Sequence, residues 1–422
     1  MNNSFIIKGD FYFSSKERKL LNYNNSYCVV ENGISQGIFK EIPEKYMNLQ
    51  VIDHSGNMIM PGLVDLHLHA SQYSFRGMGM DLELLQWLNE YTFPEEHNYA
   101  DEEYADRAYQ IFTDDLKRSY STRAVVFGTI HTDTTLMLME KLEKAGLCSY
   151  VGKVNMDRNA PDYYIEEAKD SITETKRFIE EALRRFKKTK PIITPRFIPT
   201  CTDTLMKGLA EIQKETQLPV QSHLSENRSE IEWVKELCPE AEFYGDAYDR
   251  FGLFGKGCKT IMAHCVSSTE MELERMRTNG VYVAHCPNSN MNLSSGIAPV
   301  RRLLDKGIHV GIGTDIAGGH TLSMLDEMVS AVQASKMRWR YIDEEEPITI
   351  IDAFYMATRG GGSFFGNIGG FDGGYEFDAI VIDDSTAATS KELDSVSRFV
   401  RVLNLGGECR IKEKYVGGDK II

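Results

Sequence analysis

The sequence lacks the features that mark secreted and membrane-spanning proteins. Eight cysteines are spread over 422 residues without a Cys-x-x-Cys pair, which is typical of reduced thiols in a cytoplasm and not of a disulfide framework. No apolar run approaches the roughly 20 residues that a membrane span needs. The first ten residues also lack the basic start and apolar stretch of a signal peptide.

Positive charge is also scarce. Lys and Arg number 47 against 62 Asp and Glu, which gives a formal net charge of −15. This balance argues against nucleic acid or an anionic membrane as the main partner, because too few cations are free to neutralise phosphates. Three Trp, 20 Tyr and 20 Phe are spread along the chain and exclude disorder as its dominant state. We therefore expect a folded cytoplasmic protein with no nucleic-acid or membrane partner.

The two ends of the chain share a β-type pattern. Residues 1–60 contain β-branched and aromatic stretches that are broken by Gly and Asn. Near the other end, EFDAIVIDD predicts one strand, and CRIKEKYVGGDKII predicts two strands around a Gly-Gly hairpin signal. Because the same pattern flanks a different central region, we predict one composite β domain built from residues 1–60 and 372–422.

The central region, residues 61–371, alternates short apolar strands with longer helical segments. The eight strand candidates are PGLVDLHL, TRAVVFGTI, SYVGKVNM, PIITPRFI, LPVQSHLS, KTIMAHCV, VYVAHCPN and HVGIGTDI. Eight strand-then-helix units predict an α/β fold of the (β/α)8 TIM barrel type. A doubly wound open sheet also alternates in this way, but it normally carries a Gly-rich phosphate turn after its first strand, and none is present there.

Histidines gather at the ends of the predicted strands. Five of the ten lie there: His67, His69, His223, His264 and His285. Barrel enzymes carry their active sites at the C-terminal ends of the strands, and His67 and His69 are two residues apart, so both side chains face the same way. With a third imidazole and Asp315 after the eighth strand, they predict a mixed nitrogen and oxygen ligand set that suits Zn²⁺ and would accept Fe²⁺.

Two further side chains lie beside this predicted metal site. Glu226 follows His223 by three residues, where its carboxylate could carry protons. Arg196 ends the fourth strand, where some two-metal barrel hydrolases carry a carboxylated lysine, but a guanidinium stays protonated and cannot bind a metal. A single metal is therefore favoured, and Arg196 offers planar donors to a substrate. Taken alone, each residue could equally be structural, for example Asp315 as a cap; their coincidence at the strand ends favours a site.

Longer motifs point to a known family. PGLVDLHLHASQYSF, HLSEN, MAHC, AHCPNSN and GTDIAGG resemble the single-metal deaminase and chlorohydrolase branch of the amidohydrolase superfamily. More narrowly, LLQWLNEYTFPEE, TIHTD, VGKVNMD, TPRF and HLSENRSEIEWVK resemble the guanine deaminase family. This resemblance implies a (β/α)8 barrel with a β-sandwich from both termini, one Zn²⁺ per subunit and a homodimer. It also implies hydrolysis of guanine, a small purine base, to xanthine and ammonia in purine catabolism or salvage.

The same resemblance implies a role for each matching residue. The metal ligands would be His67, His69, His223 and Asp315. The catalytic residues would be Glu226 as proton shuttle, His264 beside the attacking water, and Asp315. The substrate would be bound by Gln72, Arg196, Phe197, His223, Glu226 and Asp315.

Two other functions share most of these features. Another aminohydrolase or chlorohydrolase of the same branch, acting on a triazine, a pterin or an adenosine derivative, would have the same metal ligands. Only Gln72, Arg196 and the segment around Trp87 would distinguish it, and that segment could be a lid or an ordinary buried helix. A catalytically inactive scaffold is the second alternative, but such a protein loses metal ligands and this sequence keeps all four.

Overall fold

The computed structural model describes residues 4–422. The strands in this part of the chain are β1 (Phe5–Ser14), β2 (Leu20–Glu31), β3 (Ile34–Phe39), β4 (Val51–Pro61), β5 (Leu63–His69), β6 (Ser121–Phe127), β7 (Cys148–Gly152), β8 (Val154–Asn155), β9 (Thr189–Pro191), β10 (Thr194–Pro195), β11 (Val220–Leu224), β12 (Thr260–His264), β13 (Tyr282–His285), β14 (His309–Ile312), β15 (Ala379–Asp383), β16 (Arg410–Val416) and β17 (Asp419–Lys420).

The α-helices lie mainly between the strands of the central region. They are α1 (Leu84–Trp87), α2 (Phe93–His97), α3 (Glu102–Arg118), α4 (Thr132–Ala145), α5 (Ala168–Arg185), α6 (Asp203–Thr216), α7 (Arg228–Leu237), α8 (Asp246–Asp249), α9 (Glu270–Asn279), α10 (Pro287–Asn292), α11 (Val300–Asp305), α12 (Met324–Tyr341), α13 (Ile350–Tyr355) and α14 (Ser395–Leu405). Nowhere in residues 4–422 does a helix combine the length and the apolar character that a bilayer crossing requires.

Both ends of the chain contribute to one sheet of seven strands, in the order β17-β16-β15-β4-β1-β2-β3. The two halves meet where β4 pairs antiparallel with β15, with Met60 opposite Ile380. One face of this sheet buries an aromatic cluster that includes Phe5, Phe11 and Tyr415. Hydrogen bonds join all seven strands in a single sheet, so the division into two stacked layers expected of a β-sandwich stays a prediction.

The second sheet has eight strands, in the order β11-β12-β13-β14-β5-β6-β7-β9, and its neighbouring strands are parallel. The predicted α/β class with a parallel sheet is therefore confirmed. The two edges of this sheet approach each other, because Ile193, just past β9, forms a parallel bridge with Val220 of β11. The Ile193 amide donates to the Pro219 carbonyl at 3.0 Å, and the Gln221 amide donates to the Ile193 carbonyl at 3.0 Å.

All eight predicted strands of the central region are present, but the third and fourth are interrupted. Each divides into a pair of short strands, β7 with β8 and β9 with β10, and β8 pairs with β10 outside the main sheet. Pro191 and Pro195 explain the interruption in the fourth strand, since proline has no amide hydrogen to donate to a ladder.

The parallel strands are largely buried because helices cover the sheet. All seven residues of β5 are buried, as is expected when both faces of a parallel strand are covered. Helix α3 shows the matching pattern: it begins after Asp101, whose side chain accepts hydrogen bonds from the amides of Glu103 and Tyr104, and it buries Tyr109 on the face toward the sheet. This packing fixes the strands whose C-terminal ends carry the predicted site.

Candidate active site

Three parallel strands bring the predicted metal ligands together, and a fourth adds His264. His67 and His69 lie on β5, His223 on β11, and Asp315 three residues past the end of β14; His264 ends the neighbouring β12. The donor atoms of His67, His69 and His223 lie within 4.8 Å of one another, and so do those of His67, His264 and Asp315. Residues from opposite ends of the central region therefore form one cluster.

The distances within this cluster fit one tetrahedral ion. The Asp315 Oδ1 atom lies 3.1 Å from the Nε2 atom of His67 and 3.4 Å from that of His69. The Nε2 atoms of His69 and His223 are 3.3 Å apart. Ligands held about 2.0–2.1 Å from a tetrahedral ion lie about 3.3–3.4 Å from one another.

The protonation of the cluster also suits a cation. Burial lowers the pKa of His67, His69 and His223, which favours the neutral imidazole that binds metals. Burial alone would raise the pKa of Asp315, but the adjoining imidazoles, above all His67, lower it well below its ordinary value. The carboxylate is therefore ionised, and these residues fit a divalent cation.

Hydrogen bonds also direct free lone pairs toward the centre of the cluster. The Nδ1 atom of His223 donates to the Arg196 carbonyl at 2.6 Å, which leaves the Nε2 lone pair for a metal. The Nε2 atom of His67 is buried and accepts no hydrogen bond from the described residues. A buried polar atom without a partner is costly, and a bound cation would remove that cost.

Two residues of the cluster have an unusual backbone. His264 has φ = 73° and Asp315 has φ = 46°, in the left-handed region that non-glycine residues rarely adopt. Such a conformation costs about 1–3 kcal/mol per residue and persists only where surrounding contacts impose it. At Asp315 one such contact is the hydrogen bond from its amide to the His67 carbonyl, at 2.8 Å.

Glu226 and His264 form a second polar pair beside the metal ligands. The Oε2 atom of Glu226 lies 3.3 Å from the Nε2 atom of His264. Burial, reinforced by the charge of Asp315, raises the pKa of Glu226 well above its ordinary value. On the far side of the imidazole, His264 Nδ1 lies 2.9 Å from the Oδ1 atom of Asn290 and donates to it. Glu226 can therefore hold a proton that it is able to transfer.

A small cavity opens above these groups. It is lined by His69, Gln72, Leu84, Trp87, Leu88, Arg196, Phe197, His223, Glu226, His264, Leu293 and Asp315. The lining combines apolar side chains with polar side chains that can fix the orientation of a small molecule. The three residues predicted to bind only substrate, Gln72, Arg196 and Phe197, all line it. Trp87 is buried and also forms part of the cavity wall, so the alternatives of buried helix and pocket cover do not exclude each other.

Buried carboxylates that the sequence analysis did not select hold the surrounding loops. They are Asp65, Glu230, Glu272 and Glu327. Glu230, for example, accepts hydrogen bonds from the amides of Glu226 at 3.0 Å and Asn227 at 3.2 Å. A local sequence pattern could have identified Glu230, because Asn227 and Glu230 form a capping box at the start of α7. No such local sequence pattern identifies Glu96, which accepts hydrogen bonds from both Gln72 and Arg196.

One strand-end histidine does not join the cluster. His285 ends β13 and is buried, and burial lowers its pKa to about 4. Its ring belongs to neither of the two groups of potential metal ligands found among the described residues. A position at a strand end is therefore not sufficient to bring a histidine into the cluster.

Comparison with known proteins supports the same interpretation. The amidohydrolase family profile matches residues 58–407. Guanine deaminase from Mus musculus is 40% identical over 406 residues, covering 93% of this chain and 88% of that protein. Guanine deaminase from Homo sapiens is 42% identical over 378 residues, covering 86% and 82%. The crystal structure of guanine deaminase from C. acetobutylicum, with guanine bound in its active site, has a TM-score of 0.96 and 44% identity, and the match covers 99% and 100% of the two chains.

These matches span most of the protein, and the chain therefore belongs to the amidohydrolase family. Within that family, the three relatives named above, which are 40–44% identical over most of its length, are guanine deaminases. The resemblance seen in the sequence motifs is thus confirmed.

Proposed function

We propose that this protein is a guanine deaminase, which hydrolyses guanine to xanthine and ammonia. The observation that carries this conclusion is the cavity in which Glu226, Arg196 and Gln72 face a cluster of metal-binding side chains. The guanine deaminase relatives point to the same activity, including the one whose crystal structure contains guanine. We take the role to be purine catabolism or salvage.

We propose that His67, His69, His223 and Asp315 hold one divalent cation per subunit. Zn²⁺ suits this mixture of imidazole and carboxylate ligands, and Fe²⁺ is the alternative. When bound, the ion supplies Lewis-acid activation of water, whose pKa it lowers to about 7.

The protein's own groups would manage the protons. Asp315 would accept the proton that the attacking water releases, and His264 would orient that water. Glu226 would give its proton to N3 of guanine, which makes C2 more electrophilic. It would then take the second proton of the added water from the C2 hydroxyl group and pass it to the amine, which leaves C2 as ammonia, and the proton held by Asp315 would restore Glu226. The raised pKa of Glu226 supports this role, since only a protonated carboxyl group can act as the acid.

Substrate recognition would come from the polar groups and walls of the cavity. Arg196 and Gln72 would hydrogen-bond the polar edge of the purine, and Phe197 would pack against it. We propose that His223, Glu226 and Asp315, which also line the cavity, contact the end of the purine that reacts.

For the fold, we propose that the eight-stranded sheet closes into a (β/α)8 barrel formed by residues 61–371. The Ile193–Val220 bridge supports closure, because it connects the two edges of the sheet. Residues 1–60 and 372–422 would form the β-sandwich domain, supported by the pairing of β4 with β15.

We also propose a homodimer and a cytoplasmic location. The location is supported by the eight cysteines, which are all free thiols. Light scattering on the purified protein would test the dimer, and a monomer at micromolar concentration would contradict it.

The function can be tested by measuring ammonia release from guanine, adenine, cytosine and a pterin, with the metal content determined on the same sample. We expect release from guanine and about one zinc per chain. Turnover of the pterin but not of guanine would instead support another aminohydrolase, and no turnover would support the scaffold alternative.

A further inference from the structure

A single carboxylate connects the two polar residues that would bind the substrate. Glu96 on α2 accepts from the Nη1 atom of Arg196 at 2.6 Å and from the Nη2 atom at 3.2 Å. It also accepts from Gln72 Nε2 at 2.9 Å and from the Tyr164 hydroxyl at 2.9 Å. Glu96 is fully buried and does not line the cavity. Its four hydrogen bonds equal the number that a carboxylate can accept.

These contacts fix the orientation of the Arg196 guanidinium. Two N–H groups, one from each Nη atom, are committed to Glu96 in a fork geometry that resists rotation. The guanidinium also lies over the Phe93 ring, 5.2 Å from its centroid. The N–H groups that remain free on Arg196 are therefore the ones available to the cavity, and they can only donate.

The same carboxylate fixes the side-chain amide of Gln72. Its Nε2 atom donates to Glu96, while its Oε1 atom accepts from the Ala317 amide at 3.2 Å. Flipping the amide would place Oε1 against a carboxylate and Nε2 against an N–H donor, so both hydrogen bonds would be lost. The hydrogen-bonding groups of Gln72 therefore keep one arrangement.

We propose that Glu96 is a positioning residue for substrate specificity. It fixes Arg196 and Gln72 so that fixed N–H donors face the substrate edge, which selects a purine with a carbonyl oxygen over one with an amino group at that edge. An amino group would place a donor against the N–H groups of Arg196 that Glu96 does not accept, and would leave those buried N–H groups without an acceptor, which is a strong basis for rejection. This inference rests on the proposed function, because it assumes that a purine occupies the cavity.

The test compares the binding of two purines by titration calorimetry. Hypoxanthine has a carbonyl oxygen at C6, whereas adenine has an amino group there. Hypoxanthine has no amino group at C2, so the enzyme cannot deaminate it at C2 during the titration. We expect the holoenzyme to bind hypoxanthine more tightly. In Glu96→Gln the affinity for hypoxanthine divided by the affinity for adenine should fall at least 10-fold. In the same variant, the factor by which the KM for guanine rises should exceed the factor by which kcat falls. Metal content should not change.

Glu272→Gln is the matched control. Glu272 is also a buried carboxylate, but it accepts from Ser225 Oγ at 2.8 Å and the Gly245 amide at 2.7 Å, away from Arg196 and Gln72. Its substitution should leave the affinity ratio unchanged. A purely structural role for Glu96 predicts the same small change in both variants, and that result would overturn the proposal.

Arg196→Lys covers the case in which Glu96→Gln fails to fold. Lysine keeps the positive charge beside Glu96 but lacks the planar fork that holds its donors in one orientation, so we expect the preference for hypoxanthine to weaken at least 10-fold. Retention of that preference would overturn the proposal. Ammonia release from guanine by the unaltered enzyme separately decides the proposed function, so the two failures can be distinguished.

Discussion

Buried charged and polar side chains differ in their hydrogen-bond partners between the cavity and the junction of the seven-stranded and eight-stranded sheets. At the junction, Arg123 of β6 donates to Asp378 at 2.8 and 3.1 Å and to Glu376 at 2.7 Å. Lys414 of β16 donates to the carbonyls of Lys117 and Ser119, both at 3.0 Å, at the end of α3. Each of these charges has a partner within the protein.

At the cavity, by contrast, polar atoms are left free. Among the described residues, the Nε2 atoms of His67 and His264 have no hydrogen-bond partner, although both are buried. The two cations at the junction are thus hydrogen-bonded within the protein, whereas these two imidazole nitrogens face carboxylates at 3.1 and 3.3 Å without forming a hydrogen bond. The proposed (β/α)8 barrel would show the same division, because in barrels the N-terminal ends of the strands serve stability and the C-terminal ends serve function.

The sharpest test of this contrast is Glu226→Gln. It removes the transferable proton while keeping the size of the side chain, so we expect kcat to fall by about 10²–10⁴-fold. Metal analysis of the variant should show unchanged zinc, and its denaturation midpoint should not fall. Near-normal turnover would contradict the role of Glu226 as the acid.

At the junction, Arg123→Met should affect stability and not catalysis. It would leave the buried Asp378 carboxylate without its guanidinium, which costs about 3–5 kcal/mol in comparable cases. Urea denaturation measures this loss, while kcat and KM of the folded fraction should stay near their original values. Arg302→Met is the control, since the ion pairs of Arg302 are partly exposed and should contribute less than about 1 kcal/mol. Equal losses of unfolding free energy in Arg123→Met and Arg302→Met would contradict a special role for the buried ion pairs of the junction.

Lys414 gives the junction a predictable pH dependence. Burial lowers its pKa to about 7, against an ordinary value of 10.5. Between these values the unfolded chain holds a proton that the folded chain has released, so the Lys414 contribution to stability is least favourable below pH 7 and improves as the pH rises. We expect the unaltered protein to gain about 2 kcal/mol relative to Lys414→Met between pH 7 and pH 9. Urea denaturation of both proteins at the two pH values would measure it, and a constant difference would contradict the assignment.

The smallest effect that we expect is at Asn290. Its Oδ1 atom accepts from His264 Nδ1, and groups that orient a functional histidine in this way are typically worth 10–100-fold. Because His264 is not among the four proposed metal ligands, we expect the lower end: Asn290→Ala should reduce kcat about 10-fold and leave KM unchanged. Asn292→Ala is the control, because Asn292 donates to the Gly318 carbonyl and not to His264. A change in KM alone would show that Asn290 acts on binding.

The parts of the site that the sequence predicted are those that strand geometry determines. His67 and His69 share a face of β5 because side chains alternate along a strand. His223 lies near the end of β11 and Asp315 follows β14, and the C-terminal ends of these parallel strands must meet at one edge of the sheet. Alternation and strand order were therefore sufficient to predict that the four side chains lie together. Glu96 was missed because its partner Arg196 lies 100 residues away and neither a turn nor a periodic pattern marks it. The interruption in the fourth strand was missed because Ile192 and Ile193 continue the apolar pattern through it, although Pro191 was a visible warning. In the third strand the break falls at Lys153, a single polar residue within an otherwise strand-like segment.

The joining of β4 to β15 has a consequence for how the protein is made. Chains are synthesised from the N-terminus and fold largely in that order, so β1 to β4 emerge long before β15 does. Until then the edge of β4 carries unpaired backbone groups that could pair with another chain. The last strands to leave the ribosome thus cover an aggregation-prone edge, and a nascent chain stalled after the parallel sheet would be the species most in need of a chaperone.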